Sequence, residues 1–124
     1  MKTMLDCLAV GAGGFIGAVL RWLIGLIPVE MKSGFPIKTL AVNIIGCFAI
    51  GSITALAAKF FPDNTRLALF LKTGICGGFT TFSTFALETE GLFEKGGKSA
   101  AIIYVTASLV CGIFAVFLGQ KLTK

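Results

Sequence analysis

Four long apolar runs fill most of this 124-residue chain, lying roughly at residues 4–27, 37–61, 67–93 and 100–118. A helix needs about 20 mostly apolar residues to cross the hydrocarbon of a bilayer, and each run is that long. Transmembrane strands would be shorter and would alternate apolar with polar residues, which these runs do not. The expected fold is therefore all-α: one membrane domain of four transmembrane helices. Its loops are short, so consecutive helices are expected to pack antiparallel. Pro28 should end the first run, and Lys59-Phe60-Phe61-Pro62 the second. The first run has only Lys2 ahead of it, carries Asp6 and lacks a clear small-residue cleavage site. It is predicted to be a retained helix rather than a signal peptide.

Composition supports a lipid solvent. The chain is 56% hydrophobic and 14% charged, against about 25% charged in soluble domains. A soluble domain of this size could not bury so much apolar surface. An ordinary cytosolic enzyme, a disordered chain and a nucleic-acid binder are thereby excluded. There is no histidine, which removes histidine metal sites and histidine acid–base chemistry. Cys7, Cys47, Cys76 and Cys111 lie far apart in apolar runs and read as small, reduced hydrophobes. No nucleotide motif of the GxxxxGK[ST] type is present. No enzyme activity is expected.

The net charge of +5 fits loops that face lipid headgroups. One side of the predicted bundle carries Lys2, Lys59, Arg66, Lys121 and Lys124; the other carries Lys32, Lys38, Lys95 and Lys98. Five cations against four give almost no preferred orientation. Two readings stay open. The chain inserts both ways and pairs antiparallel with itself, or it is simply a small protein with few loop charges.

The third run holds the most unusual stretch, GICGGFTTFSTFALE at residues 74–88. Adjacent glycines and adjacent threonines are poor helix formers. A break around Gly77 to Thr81 would free backbone carbonyls of the kind that hold a monovalent cation in transporters with interrupted helices. Alternatively, the stretch is a continuous glycine-rich packing helix whose threonines bond back to the preceding turn. Phe82 and Phe85 share one helix face, which by itself suits core or lipid contact. Around them stand Thr80, Thr81, Ser83 and Thr84, with Glu88 one turn on. Other runs add Arg21, Thr39, Asn43, Tyr104 and Ser108. Polar groups within spans usually face a bundle interior or a wet cavity. Hydroxyls, an amide and a phenol can all donate hydrogen bonds, and aromatic ring edges carry partial positive charge. Such a set favours a small hydrated anion, with sites weak enough to release it. An ionised Glu88 would oppose that, so it is expected at a helix end or paired.

GGFTTFSTF with its following Glu, GAGGFIGAVLRW at residues 11–22 and TLAVNIIG at residues 39–46 together closely resemble the Fluc (CrcB) family of fluoride channels. The resemblance covers nearly the whole chain. It implies a passive, selective fluoride channel in the plasma membrane of a prokaryote, lowering cytoplasmic fluoride. It implies a dual-topology, antiparallel homodimer with two pores and the third helix broken near its middle. It implies a structural, non-transported Na+ held by the backbone carbonyls of Gly77 and Thr80. Phe82 and Phe85 become the pore phenylalanines and Asn43 the pore amide, with Thr81, Ser83 and Thr84 in the same motif. Tyr104 and Ser108 form a polar track with Thr39 and Glu88 nearby, and Arg21 lies at a vestibule. One turn after Ser108 the family often has another serine, where this chain has Gly112 beside Cys111. Two other classes compete. A small proton-coupled multidrug exporter would want a carboxylate at mid-span, but the only acids are Asp6, Glu30, Asp63, Glu88, Glu90 and Glu94. A non-transporting scaffold would have no use for the gathered donors.

Overall fold

A computed structural model describes residues 1–124. The chain is all-helical. Helix α1 (Lys2–Gly25) and helix α2 (Ile37–Phe60) form the first hairpin. Then come a short α3 (Thr65–Ala68), a π-helix (Leu69–Cys76), α4 (Gly77–Phe79), α5 (Phe82–Glu94) and a long α6 (Lys98–Thr123). Three helices, α1, α2 and α6, are long and apolar enough to cross a membrane, with mean hydropathies of 1.8, 2.0 and 2.4.

Local chemistry sets the ends. Helix α1 stops at Gly25, two residues short of the expected 27. Proline at 28 disfavours helical dihedrals at Ile27, and the chain turns through Leu26 and Ile27. Gly34 and Gly96 take positive φ, 77° and 78°, in the turns before α2 and α6, which glycine adopts without steric penalty. Asn64 caps α3, its side chain accepting from the Leu67 amide at 3.0 Å. Arg66 pairs with Asp6 at 2.9 Å and ties α3 to the start of α1. Helix α6 runs beyond the expected 100–118 at both ends, and Lys121 in its last turn complements the negative pole there.

The third apolar run is not one regular helix. Eight residues, LFLKTGIC, wind as a π-helix, which nothing in their types announces. Past Phe79 the backbone opens: Thr80 (φ −82°, ψ 159°) and Thr81 (φ −148°, ψ 122°) are extended. Helix α5 restarts at Phe82, with the Thr81 hydroxyl accepting from the Thr84 amide at 3.2 Å.

Packing follows the small residues. Helix α2 lies mainly against α6, and α1 lies mainly along the π-helix and α4. Gly13 and Gly17 are the buried residues of α1. A Cβ on Gly17 would run into the Ile75 carbonyl and come within 2.7 Å of the Phe79 nitrogen. The two backbones touch directly, as close helix pairs in lipid do. The buried apolar core is small, comprising Val42, Cys76, Leu92, Ala101, Tyr104 and Ala115. Many large apolar side chains, among them Phe15, Trp22, Leu87, Phe114 and Phe117, face outward.

Candidate functional site

The site is organised around the extended pair Thr80–Thr81. Asn43, on α2, bridges it like a strand: the Thr81 amide donates to Asn43 Oδ1 at 2.8 Å, and Asn43 Nδ2 donates to the Thr81 carbonyl at 3.1 Å. Thr80 bonds backward, its amide and hydroxyl both donating to the Cys76 carbonyl at 3.0 and 2.9 Å. These choices leave a gap in the ladder. In an unbroken helix the Thr81 amide would bond to Gly77 O, and the Thr84 amide to Thr80 O. Both amides are taken by side-chain oxygens instead, and neither the Gly77 nor the Thr80 carbonyl accepts any hydrogen bond. Gly78 O, between them, accepts from Arg21 Nε at 3.3 Å.

Three cavities surround this point. One of 340 Å³ lies beside the interruption and is lined by Asn43, Thr80, Thr81, Phe82, Phe85 and Ser108, together with Cys47, Cys76 and small or aliphatic residues. No charged side chain lines it. Phe82 is 77% exposed, so this cavity opens on the surface of the protomer. A second, of 290 Å³, is lined by Arg21, Lys38, Thr39, Thr81, Thr84 and Trp22, with no acidic residue. Thr81 belongs to both, so the cation-lined recess and the uncharged cavity meet at this residue. A third, of 520 Å³, contains Glu30, Lys38, Thr39, Glu88 and Lys95.

Glu88 lies inside α5, not at its end, and it is paired. Its carboxyl accepts from Thr39 Oγ1 and from the Tyr104 hydroxyl, both at 3.1 Å. Tyr104 is fully buried. Its ring sits edge-on between Phe35 at 5.5 Å and Phe85 at 5.1 Å, and Phe85 continues to Phe82 at 5.7 Å. A row of four rings thus joins the Glu88 cluster to the uncharged cavity.

The predicted residues divide accordingly. Asn43, Thr81, Phe82, Phe85 and Ser108 come together around one cavity, and Thr80 and Gly77 line it too. Thr39, Glu88 and Tyr104 form the adjoining cluster, and Arg21 with Thr84 lines the recess. The Ser108 hydroxyl is buried without a partner. Ser83 is exposed and lines none of the three cavities. At Gly112 a Cβ would stand 3.4 Å from Cys47 Sγ, so a thiol of α2 fills the space a serine would approach. Phe35 is not among the expected site residues, and Lys38 is expected only as a loop cation. Both sit at or beside a loop, where no periodicity marks a residue as inward.

Comparison with known proteins gives the family. The family model described as CrcB-like protein, Camphor Resistance (CrcB) matches residues 8–120. A protein of Ruminiclostridium cellulolyticum named fluoride-specific ion channel FluC is 47% identical, over 100% of this chain and 96% of its own length. Proteins of the same name are 44% identical in Chlorobium phaeobacteroides, over 94% of this chain and 91% of theirs, and in Agrobacterium fabrum, over 98% of each. A match across almost the entire length means that this chain belongs to the CrcB-like protein family.

Proposed function

We propose that this protein is a passive, fluoride-selective channel of a prokaryotic plasma membrane, lowering cytoplasmic fluoride. Its relatives carry the name fluoride-specific ion channel. The observation that carries the reading is the cavity beside the interruption, a mostly apolar space that has the polar groups of Asn43, Thr80, Thr81 and Ser108 on its wall and no charged side chain. An anion enters the recess, where Arg21 raises the potential. It exchanges water for donors at Thr81 and at the second N–H of Asn43, which is not spent on Thr81. It then passes the ring edges of Phe82 and Phe85 toward Ser108. With no fixed counter-charge in the cavity, no deep well holds the ion there. Glu88 is engaged by two donors, which lowers its repulsion toward an anion.

The functional unit is an antiparallel, dual-topology homodimer. The exposure of Phe82 and the outward-open cavity support this, as does the near-even distribution of loop cations. The interruption lies near mid-membrane. The donorless carbonyls of Gly77 and Thr80 fit a structural Na+. Two oxygens are too few for a full coordination shell, so a second copy would contribute its own pair. When bound, the ion supplies charge that fastens the two interruptions together.

The test is efflux from liposomes holding the purified protein, followed with fluoride and chloride electrodes after a potassium ionophore. Fast fluoride loss with chloride retained is expected. Transport that follows a proton gradient or organic cations would instead indicate a small multidrug exporter, and absence of selective flux from folded protein would indicate a scaffold.

A further inference from the structure

Lys38 stands in the first turn of α2. Its ammonium donates to the carbonyl oxygens of Gly25 at 2.9 Å and Ile27 at 3.2 Å. The Gly25 oxygen lies at the end of α1, where backbone carbonyls lack helical donors and carry the negative pole of the helix; the Ile27 oxygen, in the turn beyond, also accepts from the Val29 amide at 2.8 Å. No carboxylate pairs with Lys38, since the only ion pair in the protein is Arg66–Asp6. The charge is thus held in place by neutral dipoles, with no carboxylate at ion-pair distance, while Glu30 and Glu88 line the 520 Å³ cavity it shares. The same side chain lines both the 290 Å³ recess, alongside Arg21, and the 520 Å³ cavity that contains Glu88. In the recess there is no acidic residue to offset the two cations.

We propose that Lys38 is a second positioning charge of the anion route, fixed by the end of α1 so that its field acts on the recess and on the cavity that contains Glu88. This inference rests on the channel reading. Its counterpart is a plain helix cap, in which the ammonium serves only to hold the α1–α2 turn. The two differ in what they do to flux at different fluoride concentrations. A fixed cation raises the local anion concentration, so it matters when fluoride is scarce and not when the route is saturated. Acting across a Debye length of about 10 Å in largely aqueous surroundings, a unit charge raises local anion concentration about two- to fourfold, and added salt screens it.

The experiment measures fluoride efflux from liposomes for wild type, Lys38→Gln and Lys38→Arg, at low and saturating fluoride, with and without an impermeant salt. Glutamine keeps a donor for the carbonyls and loses the charge, whereas arginine keeps both. Lys38→Gln is expected to lose about two- to fourfold at low fluoride only, with the deficit shrinking in salt, while Lys38→Arg matches wild type. Equal flux at both concentrations, or an equal and salt-independent loss at both, overturns the proposal while leaving the channel reading intact. Lys38→His provides a second route within a single protein sample, since the chain has no histidine of its own. Its low-fluoride flux should rise from mildly alkaline to mildly acid pH relative to wild type, and a flat ratio also overturns the proposal. A wild type that passes no fluoride overturns the channel reading and this inference with it.

Discussion

Replacing Asn43 by Ala strips the extended pair of its anchor. The Thr81 amide loses its 2.8 Å acceptor and the Thr81 carbonyl its 3.1 Å donor. An unsatisfied buried backbone group costs about 1–3 kcal/mol. Thr81 is half-buried, so the lower part of that range applies to each group, and the pair should cost about 2–4 kcal/mol. That lowers the folding equilibrium constant by a factor of roughly 30 to 1000, at tenfold per 1.4 kcal/mol. The assay is the unfolding midpoint of purified protein in mixed micelles titrated with denaturing detergent, with fluoride flux measured on the same preparation. Asn43→Asp adds a sign. A carboxylate still accepts from the Thr81 amide, but only its protonated form can donate to the Thr81 carbonyl. The Asp variant should therefore be more stable at acid than at neutral pH, measured relative to wild type at each pH. A destabilisation of Asn43→Ala below about 0.5 kcal/mol, the scale of an ordinary surface change, would refute the view that this amide holds the interruption open.

Gly17→Ala should destabilise by about 2–3 kcal/mol, because its new methyl meets backbone atoms that cannot rotate away. Gly11→Ala has open space around it and should leave the same detergent-unfolding midpoint unchanged or slightly raised. Tyr104→Phe removes one of the two donors to Glu88 and should cost about 1–3 kcal/mol in that assay, with reduced flux. Phe82→Ile should lower fluoride flux sharply while the dimer still forms, followed by size-exclusion chromatography in detergent. Unchanged flux would remove the ring-edge argument.

Much of this was legible because lipid imposes a simple rule on sequence: apolar runs of sufficient length become spans. Helices α1, α2 and α6 begin and end within a few residues of those runs. Spacing could not choose between two backbone paths over 77–81, because the decision depends on a partner. Asn43 is 38 positions away from Thr81, and no local pattern says which backbone its amide will bridge. Glu88 was expected to be paired or terminal, since a lone carboxylate in lipid is costly. Its partners Thr39 and Tyr104 were among the candidates, but the direct bonds to them are tertiary facts. The π-helix was invisible, as its residues would suit an ordinary helix equally well. Lys38 and Phe35 sit at the rim, where cations and aromatics are expected on any membrane protein.

The seam between α1 and the π-helix joins main chain to main chain. Seams made of leucines can slip from one rotamer arrangement to another and remain joined. At its glycines this one has no rotamers to exchange, and a gap of about 0.5–1 Å already forfeits a quarter to a half of the dispersion between backbones. Its glycine contacts therefore weaken steeply on separation, with no side chain able to follow and keep them. Because Gly78 belongs to the same seam and Phe79 leads directly into Thr80, that stiffness passes to the wall of the neighbouring cavity. A conduit proposed to pass fluoride and retain chloride benefits from walls whose fluctuations are small beside the difference between the two ions. Glycines that cannot shuffle are one way to quiet such a wall.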